Sequence, residues 1–97
     1  MTAPDEHVGT ELERVVRRWQ QLPLDRALPA VAGVAAVVQQ LADAVAAESG
    51  MPQLTVPDLG PAVLMDQLRV MVHDWRAVGL DLEELGSILT ALRRSLP

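Results

Sequence analysis

Few side chains here have the type and spacing that catalysis or metal binding needs. The 97-residue chain has two histidines and no cysteine. His7 lies in a polar N-terminal stretch, and His73 sits within a helical pattern beside Asp74. A metal site needs three or four converging ligands. Asp66 is two helical turns from His73, and Asp74 is adjacent and badly placed to share an ion with it. Without cysteine there is no thiolate nucleophile, disulfide or cysteine–zinc site. Ser49, Ser87 and Ser95 occur in no nucleophile elbow. Leu59-Gly60-Pro61 reads as a turn and not as a phosphate loop, and the ligand spacing of a calcium-binding loop is missing. The sequence therefore assigns no catalytic, metal-binding or cofactor-binding residue. Whether the chain is an enzyme stays open, because a small helical dimer can build a site between its chains.

The charged residues point to surfaces. Thirteen acids oppose eight bases, all arginine, for a formal net charge of −5. That balance disfavours nucleic acid as a partner, since non-specific binding relies on neutralising phosphates. Glu11, Glu13, Glu83 and Glu84 are explained by first turns of helices, where the dipole favours negative charge. Arg14, Arg17 and Arg18 form one basic cluster, and Arg93 and Arg94 another. The first cluster is the candidate contact for acidic groups on a partner; solvated helix surface is the competing reading. A DNA-binding helix-turn-helix is an alternative, because Val78-Gly79-Leu80-Asp81 forms a short glycine-containing turn. Against it, the following helix opens with two glutamates, where base edges and phosphates would lie.

The elements that must position these residues are helical. Residues 1–9 read as a flexible tail. Thr10 and Glu13 form a capping-box pattern, and Leu12, Val15, Val16, Trp19 and Leu22 give a stripe for a first helix over about 11–21. Pro23 ends it. Asp25 is the expected cap of a second helix over 26–48, with Pro29 near its first turn and Ser49-Gly50 as its stop. A linker over 49–57 follows. Asp58 is the expected cap of a third helix over 59–78, and Gly79 its terminator. Asp81 and Glu84 form a capping box for a fourth helix over 82–95, with Leu80 and Leu85 as a hydrophobic staple. The expected fold class is all-α: a small four-helix, bundle-like single domain over 10–97, built from two helical hairpins.

An internal echo bears on that architecture. Leu12, Val16, Trp19, Leu24 and Asp25 match Leu68, Val72, Trp75, Leu80 and Asp81 at a constant offset. Ordinary packing periodicity generates such matches. The sharper reading is a pseudo-two-fold between two hairpins, each tryptophan wedging its corner.

Residues 27–38 are uncharged, and a membrane span needs about 20 apolar residues. The stretch reads as too short and too alanine-rich to span, so the sequence favours a buried helix and no membrane partner. The second helix has apolar residues on more than one side, with Val31, Val34 and Val38 on one track and Ala30, Val37 and Leu41 on another. Such a helix is either central to its own bundle or packed against a partner. The expected function is a non-enzymatic protein–protein interaction or oligomerisation module, a homodimer or another protein's partner. It would self-associate through the second helix, with Ala30, Val34 and Val37 as contact residues. Absence of cysteine fits a cytoplasmic location, and no signal-peptide pattern is visible in residues 1–7.

Overall fold

The computed structural model describes residues 3–97. Among them the fold is all-α and bundle-like, with four α-helices and no strand. The helices are α1 (Pro4–Gln21), α2 (Leu24–Glu48), α3 (Leu64–Ala77) and α4 (Leu82–Ser95), with a 3-10 turn at Pro61–Val63 leading into α3. They form two helical pairs, α1 with α4 and α2 with α3. The echo in the sequence had instead linked neighbours in the chain, first with second and third with fourth. Contacts divide the chain into two compact units: residues up to Val31 with Asp81–Pro97, and Ala32–Leu80.

In the first unit, α1 buries Val8, Leu12, Val15 and Val16, and α4 buries Leu85, Gly86, Leu89 and Leu92. Both sets recur at three- and four-residue intervals, the stripe that helix-on-helix packing requires. The expected tail over 1–9 is corrected here, because α1 already begins at Pro4, with Ala3 as an extended N-cap and Asp5 and Glu6 in its first turn. Met1 and Thr2 lie outside the described residues. Val8 is the physical reason: it stands one turn before Leu12 and is fully buried. Thr10, the expected cap, is therefore an exposed residue inside the helix. Proline in the first turn costs no hydrogen bond, since those N–H groups have no helical partner.

The start of α2 also lies earlier than expected. The N–H groups of Arg26 and Ala27 both donate to the Pro23 carbonyl at 2.9 Å. Asp25 consequently sits in the first turn rather than capping it. Pro29 falls inside the helix. The start of α4 follows the sequence, with the Asp81 carboxylate accepting the Glu83 N–H at 3.0 Å.

In the second unit, Val34, Val38 and Leu41 of α2 are buried, as are Leu64, Met65, Leu68, Val72 and Trp75 of α3. The end of α2 is closed by Gly50 at φ +67, with the Met51 N–H on the Ala46 carbonyl and the Gly50 N–H on that of Ala47. That paired pattern is a Schellman cap, which needs the left-handed residue glycine supplies. The third helix begins later than expected, at Leu64 and not 59. Asp58 turns its carboxylate to the Gly60 N–H at 3.0 Å, forming a local turn instead of a cap, and Pro61 then opens the 3-10 turn.

The two tryptophan corners are not equivalent. Trp75 is 2% exposed, whereas Trp19 is only half-buried. The chain leaves α3 through Gly79 at φ +79 in a second Schellman cap. It leaves α1 through extended Leu22 and Pro23, with no glycine. The echo covers apolar spacing and does not extend to the turns.

Candidate functional site

The most apolar helix is also poorly covered. α2 is 25 residues long, and its most apolar 18-residue window has a mean hydropathy of 1.6 with only 17% of that window buried. By length and composition it is long and apolar enough to cross a membrane. The expectation of a buried helix is therefore corrected: one face enters the cores and another is exposed. Leu24 and Leu28 are 67% and 52% exposed. Ala32, Ala35 and Ala36 continue that exposed surface. Leu24, Leu28, Ala32 and Ala36 recur every four residues, which aligns them along one side of a helix.

Of the three contact residues expected on α2, Ala30 and Val37 are half-buried and lie off this face. Val34 is fully buried. It belongs to the core and is unavailable to a partner, as are Val38 and Leu41, one and two turns further along the helix.

A second apolar feature lies within the Ala32–Leu80 unit. The segment 51–60 runs as a strap beside α2 and α3 and leaves an open cleft of about 680 Å³. Val38, Val45, Val56 and Met71 line it, and Met51, Leu54, Leu59 and Val70 are exposed along it. Amide side chains fasten the strap. Gln39 accepts the Val56 N–H at 2.8 Å and donates to the Leu54 carbonyl at 3.0 Å, while Gln67 donates to the Pro57 carbonyl at 3.0 Å. A glutamine side chain thus bonds the strap as a neighbouring strand would, satisfying backbone groups that no regular structure pairs.

No family of known proteins, no curated protein and no solved structure matches this chain.

The charged site lies in the unit containing α1 and α4. Glu11 is 3% exposed, and its carboxylate accepts from Arg93 Nε at 2.6 Å and from Arg14 Nη1 at 3.4 Å. Burial pushes its pKa up. The Arg93 hydrogen bond and charge, the Arg14 charge and the Thr90 hydroxyl more than offset this, and the carboxyl titrates below its ordinary value near 4.5. His7 packs over Gly86, where an added Cβ would stand 2.6 Å from the imidazole Cδ2. Its Nε2 lies 3.5 Å from Thr90 Oγ1.

Beside this pair, Arg14, Arg17, Arg18, Gln21 and Arg93 line a cleft of about 320 Å³. The structure thus brings the predicted cluster on α1 together with Arg93 from the other end of the chain. The i, i+3, i+4 spacing of the three α1 arginines was readable, whereas their meeting with Arg93 depends on the α1–α4 pairing. Glu11 as a buried ion-pair partner was missed for the same reason: helix-dipole stabilisation had accounted for it. His73 is exposed, and the described residues contain no group of three or more metal-ligating side chains.

Proposed function

We propose that the chain is a non-enzymatic interaction module that associates with a second copy of itself through the exposed face of α2. The observation that carries this reading is the poor covering of the most apolar helix. An apolar helix face stays in water only at a cost of about 25 cal/mol per Å² of apolar surface. A copy of the same face is the simplest cover, since a two-fold contact is self-complementary. Leu24 and Leu28 supply bulk, and Ala32, Ala35 and Ala36 permit close approach of two helices. The DNA-binding alternative is weakened by exposed Glu83 and Glu84 at the start of α4.

The test is solution mass by light scattering across a range of concentrations, for the wild type and for Leu28→Asp. The expected result is a dimer that Leu28→Asp converts to a folded monomer. A wild-type monomer at every concentration overturns the proposal. Partition of the wild type onto phosphatidylcholine vesicles, without dimer in solution, would overturn it in favour of lipid as the cover for α2.

A further inference from the structure

We propose that the cleft of Arg14, Arg17, Arg18, Gln21 and Arg93 binds a phosphate group. Every side chain lining the cleft is a hydrogen-bond donor, and no acidic side chain lines it. Four guanidinium groups gather there in a chain whose net charge is −5. Glu11, beside them, takes Nε of Arg93 and Nη1 of Arg14. Each guanidinium carries five N–H donors in a planar fork, so most of the donors of Arg14 and Arg93 are not used on Glu11.

Arg14, Arg17, Arg18 and Gln21 follow the i, i+3, i+4, i+7 pattern and share one side of α1. Arg18 Nε donates to a backbone oxygen of Pro97 at 2.5 Å, which engages one of its five N–H donors. A single carboxylate brings one charge and two oxygens, which is too little for this set. A phosphate monoester carries about −1.5 to −2 charges at neutral pH and three acceptor oxygens. Arginine's planar fork matches phosphate geometry better than lysine's point charge does, and this chain has no lysine at all.

The cleft is small, and the rest of the chain carries an acid excess. A single phosphate or a diphosphate therefore suits it better than a long polyanion, which needs an extended basic track. A free phosphate compound and a lipid phosphate headgroup would present the same chemistry.

The experiment is calorimetric titration of the full chain with inorganic pyrophosphate. A parallel arm measures co-sedimentation with phosphatidylcholine vesicles, with and without phosphatidic acid. Saturable binding is expected, weakened about tenfold or more in Arg17→Ala/Arg18→Ala, since charge-assisted hydrogen bonds would be lost. Arg69→Ala/Arg76→Ala, on α3, is expected to bind as the wild type does. Arg17→Lys/Arg18→Lys keeps the charge, guards against loss of folding, and should bind with intermediate strength. Binding confined to phosphatidic-acid vesicles, and lost in Arg17→Ala/Arg18→Ala, supports the site with a lipid as the source. Absence of binding in both arms overturns the proposal, as does equal binding by wild type and Arg17→Ala/Arg18→Ala.

Discussion

Glu11 is a carboxylate withdrawn from water yet ionised, and its neighbours explain why. Desolvation alone would raise its pKa, but the bond to Arg93 and the charges of Arg93 and Arg14 reverse that. Because its folded pKa lies below the unfolded value, Glu11 binds its proton more weakly in the folded chain. It therefore contributes stability above the ordinary carboxyl range, and that contribution is lost as the pH falls through the lowered folded value. Glu11→Gln should cost about 2 kcal/mol at neutral pH, in the range of a hydrogen bond to a charged group. Urea denaturation at neutral and acidic pH checks this: the gap between wild type and variant should narrow on acidification. A gap that stays constant would mean that the loss is one of shape and not of charge. At this scale the sequence showed the α1 arginines as a cluster, because their spacing is local. It could not show Arg93 beside them, nor the imidazole of His7 over Gly86, because those contacts join residues about 80 positions apart.

The existence and type of all four helices were legible, because apolar periodicity and stop signals are local properties. The Ser49-Gly50 and Gly79 terminations were read correctly for the same reason. The starts were not, apart from that of α4. At α1, burial of Val8 carries the helix past Thr10, so tertiary packing outweighs a capping preference worth about 1 kcal/mol. At α3, Asp58 spends its carboxylate on a local turn, and the helix waits for the 3-10 turn at Pro61–Val63. Pro29 is the clearest strain on an element. It lies inside α2 and is exposed, so it gives up a helical hydrogen bond with no core contact to offset the loss. A proline in a helix interior costs about 3 kcal/mol, partly offset by its restriction of the unfolded chain. Pro29→Ala should raise the melting temperature, by an amount equivalent to about 1 kcal/mol or more. A lower melting temperature would show that the ring fixes α2 more than it weakens it.

For the molecule as a whole, the question is whether α2 serves stability and association with separate faces. Leu41 and Leu28 test this, since they are the same residue type on the same helix with opposite exposure: Leu41 is fully buried and Leu28 is 52% exposed. Leu41→Ala empties a packed site and should cost about 3 kcal/mol at any protein concentration. Leu28→Ala removes no core contact and should leave the monomer's stability within about 0.5 kcal/mol of wild type. A dimer's melting temperature rises with protein concentration by mass action. If the exposed face is the self-contact, wild type and Leu41→Ala both show that rise, and Leu28→Ala has a flatter one. Thermal melts over a wide concentration range measure both effects in one series. Equal concentration dependence in wild type and Leu28→Ala would remove the α2 face from the interface. The apolar cleft beside the 51–60 strap, with Met51, Leu54, Leu59 and Val70 exposed along it, would then be the next surface to truncate.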